Sequence, residues 1–267
     1  MRKNRSSALP VVFFINLLLL GILACNALVP ITTATPQPSP LPPSATSTAV
    51  PPLSQQVTLV PQALDETNQN PPFTIKAQTP QLIGSDNPGV TAFNQRLKEL
   101  VAKEVDAWRE SFNQITVVTN GSSLDETYTL ISRIGDLWSY KFDFRFYSDG
   151  AAHPGLYSIT LNYDLGQGRE LDLADLFLPN SAYLETIANY CVAELSKQPG
   201  FEDPFTDGAE PRPENYRNWN ITLDGLLITF DMYQVAPGAS GPIQVLVPYE
   251  QLQKVIDPQG PLAGIAK

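Results

Sequence analysis

Apolar and polar positions recur at regular spacing over most of the chain beyond residue 72. The most regular pattern is a stripe of apolar residues three and four positions apart. It predicts an amphipathic helix of about 22 residues that packs one face on a core. Asn87-Pro88 marks the start of this helix, because proline is tolerated in a first helical turn. The stripe consists of Val90, Phe93, Leu97, Leu100, Val101, Val105, Trp108 and Phe112.

Four other segments alternate apolar and polar side chains, which is the spacing of a half-buried strand. Alternation gives each strand one buried and one wetter face, and this favours antiparallel pairing. Asp149-Gly150 and residues 166–168 provide turns between them. The predicted strands are residues 73–77, 128–134, 138–147 and 156–163.

The second half of the chain predicts a helix that starts at Asn180 or Ser181, then a polar, exposed insertion over residues 200–218. Asp224-Gly225 between two apolar runs is a strong hairpin signal. A last strand over residues 242–247 and a short helix over residues 249–256 follow. Because strands come in runs without regular alternation with helices, we predict an α+β fold. Its antiparallel sheet packs against two amphipathic helices and is preceded by a disordered linker.

The first 25 residues carry a targeting signal. Three basic residues lie within the first five positions, an uncharged apolar run spans residues 11–23, and Cys25 follows an alanine. This pattern predicts a lipoprotein signal peptide over residues 1–24, with Cys25 as the lipidation site. The protein would then sit on the extracytoplasmic side of a cell membrane, held by lipid. The alternative is an uncleaved anchor, but the run is shorter than the roughly 20 residues that a spanning helix needs.

Residues 25–70 differ in composition from the rest, with nine prolines among threonine, serine, alanine and glutamine. Such a segment buries too little apolar surface to offset its ordering entropy, so we predict a disordered spacer. Residues 71–267 are then the folded domain. Lipidation of Cys25 would leave Cys191 without an intrachain partner, and the position of Cys191 on an apolar helical face predicts a buried thiol.

The chain carries a formal net charge of −10. An acidic surface repels nucleic acid and anionic headgroups and favours cationic partners, although acidity also serves solubility alone. We therefore expect membrane contact through the lipid and no nucleic-acid partner.

Three motifs resemble one known family in order and spacing. Residues 146–154 read FYSDGAAHP, residues 171–177 read LDLADLF, and residues 226–241 carry the third. Together they are similar to RsiV-like extracellular domains, and the similarity spans residues 73–256. The resemblance implies an α+β domain on the outer face of bacteria. Relatives include the ectodomain of an anti-sigma factor that binds lysozyme, and the accessory region of a peptidoglycan deacetylase. We expect neither a sigma-binding segment nor a deacetylase domain in this chain.

Candidate chemistry is sparse. His153 is the only histidine. A usual zinc site needs three or four ligands, and a Ser-His-Asp triad would have to use His153 as its base. We interpret His153 as shaping a turn, with ligand contact as the alternative. Asp172 and Asp175 could pair as acid and base, but their spacing favours turn capping. Acidic residues between 202 and 214 lack the spacing of an EF-hand, so we predict no metal, no cofactor and no catalytic residue.

The sequence thus predicts a noncatalytic, lipid-anchored binding domain. Its candidate ligand is a cationic protein such as lysozyme or a cell-wall glycan such as peptidoglycan. The alternatives are a wall hydrolase that uses carboxylates and a structural accessory lipoprotein. The candidate ligand-binding residues lie in the turn over residues 149–154 and the loop over residues 233–241, and they are Tyr147, Asp149, His153, Pro154, Tyr233 and Pro237.

Overall fold

The computed structural model describes residues 52–116, 119–197 and 206–266. Over these residues the chain is an α+β protein with two sheets, which confirms the predicted fold class. The elements of the first sheet and its helix are β1 (Thr58–Gln69), β2 (Pro72–Ile83), α1 (Pro88–Asn113), β3 (Ser122–Ile134), β4 (Leu137–Tyr147), β5 (Gly155–Asp164) and β6 (Arg169–Glu170). The remaining elements are α2 (Tyr183–Leu195), β7 (Trp219–Ile221), β8 (Gly225–Phe230), β9 (Ile243–Pro248) and α3 (Tyr249–Leu252).

The first sheet runs in the order β1-β2-β3-β4-β5-β6, and the second in the order β7-β8-β9. Neighbouring strands pair antiparallel except β2 and β3, which are parallel from Phe73↔Ser122 to Lys76↔Asp125. Helix α1 is the crossover between those two strands, as a parallel pair requires. We call β1–β6 with α1 the N-terminal lobe, and β7–β9 with α2 and α3 the C-terminal lobe.

Helix α1 covers the N-terminal lobe as its apolar stripe predicts. Asn87 is its N-cap and accepts a hydrogen bond from the Gly89 amide at 2.8 Å. Every residue of the stripe is buried except Trp108, which is only partly covered. At the centre, Phe93 meets Tyr163 edge to face with ring centroids 5.1 Å apart.

The C-terminal lobe has a separate core under α2. Leu195 and Ile187 are fully buried there, together with Cys191, which confirms the predicted buried thiol. Burial raises the pKa of Cys191 to about 12, so the thiol stays protonated and acts as a small apolar side chain.

A buried polar network joins the two lobes at strand β7. The Ile221 amide donates to Ser139 Oγ and Asn162 Oδ1, both at 3.1 Å. Asn162 Nδ2 donates to the Trp219 carbonyl at 2.8 Å, and Asn220 Nδ2 donates to Ser139 Oγ at 2.9 Å. Side chains of β4 and β5 therefore satisfy the outer edge of β7, which would otherwise be a buried and unpaired strand edge.

The linker prediction was wrong in its last part, because β1 occupies residues that we assigned to a disordered spacer. Pro61 is compatible with this strand, since β1 lies at the edge of its sheet and an edge strand tolerates a missing amide donor. Twelve register pairs with β2, from Thr58↔Ile83 to Gln69↔Pro72, order a segment whose composition alone predicts disorder. Residues 25–51, including Cys25, and the predicted signal peptide over residues 1–24 lie outside the described residues.

Smaller corrections concern the loops. The end of the predicted exposed insertion is packed: Tyr216 and Ala209 are buried, and the Tyr216 hydroxyl donates to the Ala209 carbonyl at 2.6 Å. The ring of Tyr216 packs edge to face against Phe230 and holds this otherwise polar segment on the C-terminal lobe. The closing helix is the single turn α3, shorter than predicted. In the described part of the chain, no helix combines the length and apolarity needed to cross a membrane.

Candidate functional site

A depression of about 420 Å³ lies where β1, β2 and β3 begin or end at one edge of the N-terminal lobe. We call it the polar depression. Among the described residues no charged side chain lines it, although the chain is strongly acidic. Its lining residues are Thr67, Asn68, Gln69, Pro72, Phe73, Thr74, Asn120, Gly121, Ser122, Ser123 and Tyr147.

Strand register explains why hydroxyl groups gather at this depression. Thr67 is opposite Thr74, Thr74 is opposite Ser123, and Ser123 is opposite Tyr147. Residues opposite one another across a sheet point to the same face, so four hydroxyl-bearing side chains form one row. The predicted candidate Tyr147 is the aromatic end of that row.

Asp149 is near this depression, but its carboxylate is occupied by the backbone. Its Oδ2 accepts hydrogen bonds from the amides of Thr119, Asn120 and Gly121 at 2.5 Å, 3.0 Å and 3.0 Å. These donors lower the pKa of Asp149, because each favours the ionised form. The Asp149 amide also donates to Ser122 Oγ at 3.0 Å. Asp149 therefore positions the loop that lines the depression.

Gly121 is the one position in this loop where glycine is required. Its φ is +89°, and a Cβ placed there would lie 2.9 Å from the carbonyl oxygen of Pro72. Only a residue without a side chain lets the loop approach the start of β2 so closely.

His153 and Pro154 lie in the exposed turn after β4. His153 Nδ1 is 3.0 Å from the Pro154 carbonyl oxygen, which agrees with a role in shaping the turn. Neither residue lines the polar depression.

Tyr233 and Pro237 belong to a different place, the loop between β8 and β9. Tyr233 has a left-handed backbone with φ of 66° and is 59% exposed. Its ring lies so close to Gly238 that a Cβ at that glycine would be 2.1 Å from Tyr233 Cζ. Among the described residues, no hydrogen bond or ring contact joins this loop to Tyr147, Asp149 or His153.

Of the six candidate ligand residues, Tyr147 lines the polar depression and Asp149 holds the loop beside it, whereas His153 and Pro154 lie in the same β4–β5 turn outside its lining. Sequence reasoning missed Thr67 and Asn68, because they lie in the segment predicted as linker. Asn120 was missed as well, since a short loop contains no pattern that places it against β2. The turn dipeptide Asn70-Pro71 was the available signal for the β1–β2 hairpin.

The acidic pair Asp172 and Asp175 has a structural role. Asp172 and Asp175 form a reciprocal capping box around a short 3-10 turn, which confirms that they cap turns. Arg169 Nη1 binds Asp175 Oδ2 at 2.7 Å. Within residues 52–116, 119–197 and 206–266, no group of three or more metal-ligating side chains is clustered.

Part of this chain matches a known protein family. Residues 174–250 match the family described as protein of unknown function (DUF3298). This match falls almost entirely on the C-terminal lobe.

Curated relatives match longer stretches of the chain. An esterase of Mycobacterium tuberculosis is 30% identical over 105 residues, which are 39% of this chain and 46% of that protein. Immunogenic protein MPT64 of the same species is 28% identical over 40% of this chain and 47% of its own length. Peptidoglycan-N-acetylmuramic acid deacetylase PdaC of Bacillus subtilis is 24% identical over 61% of this chain and 36% of the enzyme. The chain thus spans less than half the length of these relatives.

Two solved DUF3298 structures share the fold. One, from Bacteroides fragilis, superposes with a TM-score of 0.61 at 18% identity and covers 79% of this chain and 97% of its own. The other, from Pseudomonas aeruginosa, has a TM-score of 0.57 at 16% identity, over 76% of this chain and 95% of its own. Residues 174–250 thus match the DUF3298 family model, and the chain shares the fold of solved DUF3298 proteins.

Proposed function

We propose that this protein is a noncatalytic binding domain that recognises a cell-wall glycan in the polar depression. The observation that carries this proposal is the lining of the depression, which combines a row of hydroxyl groups, several amides and the ring of Tyr147 beside the buried Phe73, with no charged side chain among the described residues. A neutral, polyhydroxylated ligand needs such donors and acceptors, and it needs an aromatic face for its own apolar face.

The geometry supports this ligand class in two further ways. A volume of about 420 Å³ lies in the range typical of small-ligand sites. The depression is also built on paired strands and on a loop that the Asp149 carboxylate fixes, so its donors are held in place before a ligand arrives.

The comparisons support a place in the cell envelope. PdaC is named as an enzyme that acts on peptidoglycan, and the stretch shared with this chain makes up 36% of PdaC. A shared domain that binds the wall polymer would explain why one fold occurs both in that enzyme and in this chain. The narrower resemblance to RsiV-like domains remains part of the proposal.

We further propose that Cys25 carries a lipid that holds the domain on the extracytoplasmic side of the membrane. Labelled fatty acid should enter the wild-type protein and not the Cys25→Ser variant. Incorporation that is equal in both proteins would contradict the anchor.

The net charge of −10 favours a second candidate ligand, a cationic protein such as lysozyme. Long-range attraction would speed its association and would weaken as salt rises. A glycan that binds the uncharged depression should show little salt dependence. Binding measured at low and high ionic strength therefore separates the two ligands.

The direct test is cosedimentation of the protein with purified peptidoglycan. Tyr147→Ala should weaken binding by roughly threefold to tenfold, because it removes the aromatic face. Tyr147→Phe should retain much of the binding. Tyr233→Ala is the matched control, since it removes an exposed tyrosine from the other lobe. Loss of binding in Tyr233→Ala with full binding in Tyr147→Ala would move the site to the β8–β9 loop.

A further inference from the structure

Strands β2 and β3 separate beyond the pair Lys76↔Asp125 and leave a fork in the first sheet. Beyond this point the Gln78 amide donates to Glu126 Oε2 at 2.6 Å instead of to a strand. A side chain of β3 thus takes the place of the next ladder bond.

The rest of the β2 edge is also closed by side chains. Asn94 of α1 accepts from the Leu82 amide and donates to the Leu82 carbonyl, both at 2.8 Å. Pro80 lies between Gln78 and Leu82 and has no amide to satisfy. The fork is therefore a defined opening in the sheet, with no unpaired β2 amide at these three positions.

A cavity of about 290 Å³ occupies the fork. Asp65, Lys76 and Asp125 lie in one row across the exposed face at its mouth, because each is opposite the next in register. Lys76 is flanked by two carboxylates, so the mouth carries a net negative charge. Glu126 and Ala77, which point to the buried face of the sheet, line the deeper part.

Only one carboxylate oxygen of Glu126 accepts a hydrogen bond within the described residues. Its side chain is 2% exposed, and Oε1 is buried with no hydrogen-bond partner among the described residues. No ion pair within the described part of the chain includes Glu126, and the charged neighbour that perturbs it is Asp143, which has the same sign. Burial raises the pKa of Glu126 to about 7. Burying a carboxylate without a cation beside it costs free energy of folding, and a positively charged donor would offset that cost.

We propose that the fork binds a primary ammonium or guanidinium group, supplied by a lysine or arginine side chain of a protein partner, with Glu126 as its counter-ion. The group would donate to the Glu126 carboxylate, and the acidic mouth would attract the partner's basic side chain. This site does not depend on glycan recognition, because it shares no lining residue with the polar depression.

The experiment follows the Gln78 amide, which donates to Glu126 and reports on the carboxylate directly. The full chain is titrated at pH 8 with a blocked Gly-Lys-Gly peptide, and the Gln78 amide resonance is measured. We expect a saturable shift in the wild type and in Glu250→Gln, an exposed substitution in the other lobe with the same change of charge. In Glu126→Gln the affinity should fall at least about tenfold, the loss expected for a hydrogen bond between charged groups.

A second set of titrations uses only the wild-type protein and changes the ligand. The same peptide with norleucine in place of lysine should leave the Gln78 resonance unmoved in the wild type. Methylammonium should bind more weakly than the lysine peptide. A norleucine peptide that shifts Gln78, a lysine peptide that does not, or equal affinity in Glu126→Gln would overturn the site. Methylammonium that binds as tightly as the peptide would overturn the assignment to a protein side chain.

Discussion

The two lobes of this protein share a buried polar junction but differ in where their polar groups lie. In the C-terminal lobe, buried polar side chains donate hydrogen bonds across the junction, as Asn220 Nδ2 does to Ser139 Oγ and the Tyr140 carbonyl. In the N-terminal lobe, polar side chains line two openings, the polar depression and the fork. The DUF3298 match falls on the first kind of region, and the candidate sites fall on the second. The matched region therefore lies outside both candidate sites.

The largest expected effect tests whether the lobes are energetically independent. Phe93→Ala removes the centre of the N-terminal core and should cost about 3–5 kcal/mol of unfolding free energy. Because the β7 network couples the lobes, Trp219 in one lobe and Trp138 in the other should report a single shifted transition in denaturant. Two separate transitions would show that the lobes unfold independently.

The next effect concerns the buried acid of the N-terminal lobe. The pKa of Glu126 is raised from 4.5 to about 7, so the folded state binds its proton more tightly than the unfolded chain. The tighter proton binding by Glu126 contributes its full stabilisation below about pH 4.5, and this contribution is lost as the pH rises through about 7. Glu126→Gln avoids that loss and should gain on the order of 3 kcal/mol over the wild type between pH 4.5 and pH 8.

Glu66→Gln is the control with the opposite sign. A hydrogen bond from Arg109 lowers the pKa of Glu66, so this carboxylate stabilises the fold above its unfolded pKa and ceases to do so as the pH falls. Its substitution should therefore destabilise the protein at pH 8 and have little effect in acid. Denaturant titrations from pH 8 to below pH 4.5, where Glu66 becomes protonated in the unfolded chain, measure both variants, and parallel profiles for the two would contradict the assignment.

A smaller effect is expected at the junction itself. Asn220→Ala removes the amide that donates to Ser139 Oγ and to the Tyr140 carbonyl, both at 2.9 Å. Loss of these two buried hydrogen bonds should cost about 1–3 kcal/mol. Asn113→Ala, at the exposed end of α1, should change stability by less than about 0.5 kcal/mol. Equal effects of the two substitutions in thermal or chemical unfolding would mean that the network does not couple the lobes.

The smallest effect on stability is expected at Asp149. Asp149→Asn keeps the shape of the side chain but removes the charge that three amides share. The amides of Asn120 and Gly121 should exchange faster with solvent, and glycan binding should weaken while the fold is retained. Hydrogen exchange and cosedimentation measure the two changes. Unaltered exchange at Gly121 would show that the carboxylate does not hold the loop.

Regular elements could be predicted from the sequence, whereas the site could not. Helix α1 carries its own period and cap, and the strand around Trp138 carries alternation and aromatic residues, so local chemistry specifies both. Strand β1 has a weak pattern and is ordered by pairing with β2, which is a contact between segments. The same holds for the polar depression, where Tyr147 and Asn120 meet Thr67 only because three strands align.

The placement of Thr67 in a spacer has a physical origin. Composition reports how much apolar surface a segment can bury on its own, and it does not report the strand with which that segment pairs. The fork was missed for a related reason, since Glu126 occupies an ordinary alternating position and only its lack of a cationic partner distinguishes it.

The central claim is that the polar depression binds a wall glycan. A titration of the full chain with a soluble peptidoglycan oligomer, followed by amide resonances, tests it most directly. We predict saturable shifts at Gly121, Ser123 and Tyr147, with the residues around Tyr233 unchanged. Saturable shifts confined to the β8–β9 loop, or no shift at Ser123 when the oligomer binds, would contradict the account.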